Sequence, residues 1–242
     1  MDKFWSLASL WRPRCVLCGG PGVQQSGPCR EPVDLCPACL LSLPANRYGC
    51  RRCAVPLPGT ACMTPLCGSC REHPTEFERC RAPFRYAFPL DTLLRGLKFR
   101  GKIAYGRVLG QLLAGHVAAD TRTLPEFMVP VPLHSSRLKQ RGYNQALEIS
   151  RPLSRHLGIP VYPQLCRRAR ATLEQTHLGA KDRRDNLRGA FEIIARPPMR
   201  HAAIVDDVVT TGSTVSELAR TLKRAGVETV QVWAVARAAL NN

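Results

Sequence analysis

Apolar positions are sparse and without period over the first 80 residues and become regular only after them. From Arg81 to Phe88 they alternate with polar ones, which predicts a strand. Leu90–Leu97 and Tyr105–Ala119 recur at helical spacing, the second with Val108, Leu109, Leu112, Leu113 and Val117 on one face. Phe127–Val131 reads as a short apolar strand, and Asn144–Leu157 as a helix that Pro152 should kink or break. Val161–Cys166 predicts a further strand, whereas residues 167–189 are polar, basic and unperiodic and predict a long loop. Phe191–Ile194 and Ala202–Val205 follow as strands, Ser213–Ala225 as a helix stopped by Gly226, and Val230–Ala236 as the last strand. Strands alternating with helices predict an α/β domain over residues 81–242, a mostly parallel sheet with flanking helices. The 242 residues suffice for such a domain and a small one before it.

The first 80 residues need another source of stability, and their cysteines offer one. Cys15-Val-Leu-Cys18 is followed by Cys36-Pro-Ala-Cys39, and Cys50-Arg-Arg-Cys53 by Cys67-Gly-Ser-Cys70. Each pair places two thiolates on one tight turn, within reach of one tetrahedral ion. All-thiolate ligation favours structural Zn2+, with an iron–sulfur centre as the alternative. Sequential pairing, Cys15/Cys18/Cys36/Cys39 and Cys50/Cys53/Cys67/Cys70, is the simplest, and spacing leaves a crossed arrangement open. Cys29, Cys62, Cys80 and Cys166 are left over. Residues 1–80 are therefore expected to form a small Cys-rich, zinc-binding domain.

The chain lacks any run of about 18 apolar residues, so no membrane insertion is expected. The opening Met1–Leu7 does not resemble a signal peptide, and paired thiols suit a reducing compartment, so the expected location is cytoplasmic. The formal net charge is +17, which two zinc tetrathiolates would lower by four. Residues 137–200 hold 14 Lys and Arg against 5 Asp and Glu, which makes phosphate esters, pyrophosphate or nucleic acid the natural partners.

One run turns this charge into chemistry. In Ala203-Ile-Val-Asp206-Asp207-Val-Val-Thr210-Thr211-Gly212-Ser213-Thr214 an apolar strand ends in two acids, and a loop of small hydroxyl residues then opens a helix. Such a loop presents N–H groups, hydroxyls and a helix N-terminus to an anion. Two carboxylates would repel a bare phosphate, but they suit the adjacent hydroxyls of a ribose whose phosphate lies in the loop. The run is no P-loop, because the Gly-Lys-Ser/Thr is absent. It resembles the signature of type I phosphoribosyltransferases, which bind 5-phosphoribosyl 1-pyrophosphate (PRPP) with magnesium.

Two other segments fit that reading. Pro130-Val-Pro132 leads through His134, Arg137, Lys139 and Arg141 to Gly142-Tyr143-Asn144-Gln145, a strand, a basic loop and a helix. Cations there could stabilise a departing pyrophosphate. Arg168, Gln175 and Arg183 lie on the long polar loop, which is suited to closing over a reactive ligand.

Taken with Leu97-Lys98-Phe99-Arg100-Gly101, the Arg168–Gln175 and Asn186–Phe191 pieces and the cysteine pairs, these motifs resemble the ComF/GntX-like phosphoribosyltransferase family over nearly the whole chain. It departs from the family pattern at Leu173-Glu174, where prolines are common. The resemblance implies a type I phosphoribosyltransferase fold behind a double zinc ribbon, Zn2+ and PRPP-bound Mg2+, and a role in taking up DNA. It further implies that Asp206 and Asp207 hold the ribose, directly or through Mg2+, and that Thr210, Thr211, Gly212, Ser213 and Thr214 hold the 5-phosphate. Two functions follow as expectations. One is a phosphoribosyltransferase whose catalytic candidates are Arg137, Lys139, Arg141, Arg168, Gln175 and Arg183. The other is a PRPP-sensing module that binds single-stranded DNA and meets DNA-uptake or recombination proteins. Base stacking lends the second little support, since only Tyr143 and Tyr162 fall within residues 137–189.

Overall fold

A computed structural model describes residues 14–22, 33–58, 66–119, 124–170 and 189–239. The chain forms two compact units, Met1–Leu43 and Pro44–Asn242. The division thus falls well before residue 80, and the second cysteine quartet belongs with the α/β unit. The first unit is small. A turn closed by Cys15 N–H to the Gly20 carbonyl (2.7 Å) precedes helix α1 (Pro37–Leu41), with Val33 and Leu35 buried.

The larger unit begins with the second cysteine segment and helix α2 (Gly68–Glu72). Next come strands β1 (Arg79–Arg81) and β2 (Phe84–Arg85) and helices α3 (Leu90–Phe99) and α4 (Ala104–Ala118). Strand β3 (Phe127–Pro130), helices α5 (Ser135–Arg141) and α6 (Gln145–Leu157), and strands β4 (Cys166–Arg168) and β5 (Phe191–Ile193) follow. Strand β6 (His201–Val209), helix α7 (Ser213–Arg224) and strand β7 (Thr229–Arg237) complete it. The sheet runs β1-β7-β6-β3, with β2 also on β7, and every pair is parallel. Strands β4 and β5 form a separate antiparallel hairpin.

The central strands are apolar on both faces, as a sheet covered on both sides requires. Ala202 and Ile204 join Phe127, Val129, Val232 and Ala234 in one core with Val215, Leu218 and Leu222 of α7 and with Phe191 of the hairpin. The intervening Met128, Ala203, Val205, Trp233 and Val235 are fully buried on the other side, where α4 packs on β7 and α6 on β6 and β3.

Several elements differ from expectation for local reasons. The strand predicted over 81–88 is split into β1 and β2 by Pro83, whose carbonyl instead accepts Asn46 N–H at 2.7 Å. Val161 makes one isolated bridge to Met128, and Pro163 prevents a strand before Cys166. Helix α6 runs through Pro152 without ending. The expected loop 167–189 begins as strand β4, and its residues 171–188 lie outside the described ones. Among the described residues no helix is long and apolar enough to cross a membrane.

Pro152 has a packing role. A Cβ added to Gly110 of α4 would stand 2.3 Å from Pro152 Cγ and 2.5 Å from the Ile149 carbonyl oxygen, so the two helices meet at a bare backbone. Gly115, on the same helix, faces open space. Gly110→Ala is therefore expected to destabilise the chain by about 1–3 kcal/mol through overpacking. Gly115→Ala should stabilise it by roughly 0.5–1 kcal/mol through helix propensity. Denaturant unfolding of the two variants, with opposite signs, checks this contact.

Candidate functional site

Strand β6 is longer than the apolar run Ala202–Val205 that announces it. It continues to Val209, paired with β7 through Val209 and Arg237, whereas its pairing with β3 stops at Val205 and Pro130. Asp206 and Asp207 therefore lie inside the strand, not at its end, and line a crevice opened where β3 leaves. Ligands of open parallel sheets bind in such crevices, outside the carboxyl ends of the strands. The far wall is tied down by Asn144, whose side chain donates to the Val131 carbonyl at 3.0 Å and caps α6 by accepting Ala146 N–H at 3.0 Å.

The two acids do not act from one face, because successive strand residues point to opposite sides. Asp206 is in register with Ala234, in the core shared with α7, and is half-buried. Asp207 faces the α3 side, is 5% exposed, and holds Lys98 Nζ at 2.9 Å from Oδ2. Burial, followed by the neighbouring Asp207, pushes the Asp206 carboxyl up from 3.8 to about 8. Burial opposes the charge on Lys98, but Asp207 and then Asp206 outweigh it and leave the ammonium above its ordinary value. Asp206 accepts the N–H of Asp207 at 2.9 Å and has no cation paired with it among the described residues, whereas Asp207 has Lys98.

After Val209 the chain turns through Thr210–Gly212 into α7. Gly212 caps the helix at φ 84°, a left-handed conformation costly for other residues. Thr211 Oγ1 and Ser213 Oγ lie 2.9 Å apart, and Ser213 N–H points to Thr211 Oγ1 at 3.4 Å. Thr210 is exposed, and residues 211–214 are half-buried around the open start of a 12-residue helix. Its first N–H groups have no intrahelical acceptors, which suits them to an anion.

The basic segment expected as a loop is helix α5, capped by His134, which accepts Ser136 N–H at 3.3 Å, and ended by left-handed Gly142. Helical rather than alternating geometry sorts its cations. Arg137 and Arg141, four residues apart, share one face with Gln140, while Lys139 is exposed away from that face. With Lys98, Phe99 and Tyr143 that face lines a cleft of about 470 Å³. The Arg141 guanidinium stands 5.7 Å from the centre of the Phe99 ring, which is 67% exposed, and Tyr143 donates its hydroxyl hydrogen to the Leu97 carbonyl. Lys98 joins this cleft to the Asp207 crevice. Arg168 stacks over Phe191 at 5.8 Å, and its backbone bridges to His134 beside α5. Gln175 and Arg183 lie outside the described residues.

Both cysteine quartets assemble in the sequential pairing. In each, all four Sγ atoms lie within 4.8 Å of one another, a fit for one tetrahedral ion. Burial opposes charge on Cys15, but N–H groups of Cys36, Cys18 and Leu17 outweigh it and bring the thiol down to about 6. Cys50 is brought down to about 7 by N–H groups of Cys53, Cys67 and Arg52, again against burial. Their neighbours Cys39 and Cys70 are raised, Cys39 chiefly by the adjoining thiols and Cys70 by burial and then those thiols, a cost that a shared cation relieves, so each of the two quartets could hold a structural zinc ion. Burial pushes Cys80 and Cys166 up to about 12, as befits core thiols, and Cys29 and Cys62 lie outside the described residues.

Known proteins match this arrangement of segments along its length. No protein-family model matches the chain. Competence protein F of Haemophilus influenzae is 37% identical over 233 residues, covering 93% of this chain and 97% of that protein. The DNA utilization protein YhgH of Escherichia coli is 38% identical over 218 residues, covering 86% and 95%, and that of Salmonella typhimurium is 37% identical over the same span. The chain belongs to the ComF family.

Two ComF-site residues escape a motif-by-motif reading of the sequence. Lys98 lies in the quoted Leu97–Gly101 motif, but only the tertiary fold brings it to Asp207. Phe99 lies outside the basic stretch 137–189 to which the stacking argument is confined, yet the fold sets it under Arg141.

The raised carboxyl has a consequence for stability. With its folded pKa above the unfolded one, Asp206 keeps a proton more tightly in the native state. Its contribution therefore falls as pH rises from about 4 to about 8 and is lowest above that. Asp206→Asn removes this cost. Unfolding free energies of variant and wild type should diverge as pH rises from about 4 to about 8 and run parallel above that, the variant gaining roughly 1–3 kcal/mol. Profiles parallel over the whole range would show that the carboxyl is not desolvated.

Proposed function

We propose that this chain binds a 5-phosphorylated ribose, PRPP with Mg2+, in the crevice between β6 and β3, on a type I phosphoribosyltransferase-like fold. The observation that carries this reading is the succession of Asp206, its carboxyl pushed up by burial and by Asp207, and the Thr210–Gly212 turn that opens α7. Ribose hydroxyls on Asp206 would satisfy it, and Thr210–Thr214 would receive the 5-phosphate. Asp206 and Asp207 offer hard oxygen donors of the kind Mg2+ takes, though Lys98 must then share Asp207. Arg137, Arg141 and Lys98 stand where a pyrophosphate's charge needs stabilising, and Arg168 borders them through His134. The family's named members point to work on DNA, so the site is assigned to DNA uptake or utilization, either as a transferase or as a ligand sensor. The cysteine quartets hold Zn2+ in this reading, and the protein acts in the cytoplasm with DNA-uptake or recombination proteins as partners.

Calorimetric titration of the full chain with PRPP and Mg2+ tests the reading. Asp206→Ala should weaken binding at least about tenfold, equivalent to ~1.4 kcal/mol. Unchanged affinity in that variant would end the assignment.

A second reading, binding of single-stranded DNA, is favoured by one observation: Arg141 over the exposed Phe99 in a cationic cleft. Stacking support absent from residues 137–189 alone is supplied by α3. Binding of an oligothymidylate, followed by fluorescence anisotropy across salt concentrations, should lose about one unit of slope for Arg137→Ala or Arg141→Ala. Lys139→Ala should change the slope less. An equal effect of all three would mean diffuse surface attraction instead.

A further inference from the structure

Arg237, the last residue of β7, is 2% exposed, and its guanidinium hydrogen bonds all end on main-chain carbonyls among the described residues. Its Nε donates to Cys53 at 3.0 Å. Its Nη1 donates to Val209 at 3.0 Å, to Ala238 at 2.9 Å and to Thr210. One side chain thus ties the second cysteine quartet to the turn that opens α7, two segments 157 residues apart in sequence between Cys53 and Thr210.

Both ends are constrained. The Cys53–Ala54 peptide, whose carbonyl Arg237 grips, is followed by left-handed Ala54 (φ 58°), a conformation rare outside glycine. Ala54 N–H donates to the Cys50 carbonyl at 2.8 Å, and Asn46 Nδ2 donates to the Ala54 carbonyl at 2.8 Å. The peptide thus belongs to the tight turn that brings Cys50 and Cys53 together. At the other end, the Val209 carbonyl also accepts Ala238 N–H at 3.0 Å, and the carbonyl of Thr210, where the turn begins, accepts from the guanidinium. Among the described residues no carboxylate pairs with Arg237, and a buried cation so placed is costly. A tetrathiolate ion site, net −2 when filled, supplies the missing charge.

We propose that Arg237 is a positioning residue through which the second cysteine quartet sets the conformation of the Thr210–Ser213 turn, so that metal held by Cys50, Cys53, Cys67 and Cys70 tightens phosphate binding at that turn. The inference rests on the ribose phosphate reading for its ligand but not for its mechanics. The ion fixes the Cys53 peptide, the peptide fixes the guanidinium, and the guanidinium fixes the carbonyls that precede the phosphate-facing N–H groups. Lysine cannot replace arginine here, because a single ammonium cannot span the carbonyls that the planar fork reaches with two nitrogens.

A double-variant cycle on the full chain tests this with two readouts: amide hydrogen exchange across residues 209–213 and affinity for ribose 5-phosphate. Arg237→Met and Cys53→Ser should each raise exchange in the turn at least about tenfold and weaken binding about tenfold. Combined, they should do little more than either alone, because both cut the same connection. Arg237→Lys should fall with Arg237→Met, and it replaces that variant if the latter does not fold. Multiplying effects in the double variant, or exchange unchanged in Arg237→Lys, would overturn the proposal. Should the wild type bind no ribose 5-phosphate while exchange still shows the non-additive pattern, the functional reading falls and the coupling stands. Should the wild type bind and the variants leave both readouts unmoved, the coupling falls and the functional reading stands.

Discussion

The pairing of β6 is lopsided. Strand β3 accompanies it only to Val205, whereas β7 stays beside it to Val209. Four residues of a central strand are thereby supported on one edge and open on the other, and the site follows from that imbalance. Asp206 is carried past the covered part of the sheet and stays half-buried there, its carboxyl pushed up by burial and by Asp207. The turn after Val209 is delivered to the same crevice with the N-terminus of α7 behind it. Had β3 continued in register, a fifth pair of residues would fill the space, and both carboxylates would be buried against it without compensation.

Around this opening the chain solves two problems of charge. Asp207 and Lys98 pair at 2.9 Å on the α3 side, whereas among the described residues Asp206 accepts a main-chain N–H, that of Asp207, and no side-chain cation pairs with it. On the neighbouring wall, Arg137 and Arg141 concentrate positive charge in a cleft roofed by Phe99 and Tyr143. A ligand with hydroxyls at one end and phosphates at the other satisfies the acid and the cations together. A nucleic acid strand satisfies only the second. The cysteine segments contribute order where apolar residues are too few: Cys50, Val55, Cys67 and Cys70 form a small cluster of their own, and Arg237 passes its rigidity to the sheet.

Much of this is legible in the residues, and the failures have identifiable causes. Asp206–Thr214 announces its strand, turn and helix because a both-faces-apolar run, a hydroxyl-rich turn and Gly212 each leave a local signature. The cysteine pairs announce their quartets through spacing alone, and the geometry agrees with the sequential pairing. Helix α5 escapes the apolar pattern because Ser135–Arg141 has no buried residue, so its period is carried by charges. Treating Arg137, Lys139 and Arg141 as alternating cations puts Lys139 on the wrong side. Pro152 does not act as a breaker, since α6 lies against Gly110 and gains contact where it loses a hydrogen bond. Lys98 and Phe99 cannot be placed from their own segment, because their partners come from β6 and α5. A boundary at residue 80 overlooks that the second quartet hydrogen-bonds to β1 and β7, a contact no local pattern encodes.

The central claim concerns where a ligand sits. A crystal structure of the full chain grown with PRPP and Mg2+ decides it most directly. The account predicts the 5-phosphate over the Thr211–Thr214 turn, with ribose hydroxyls within hydrogen-bonding distance of Asp206. PRPP seated only between Arg137 and Arg141, with no ligand atom near Asp206 and the turn bare, would contradict it.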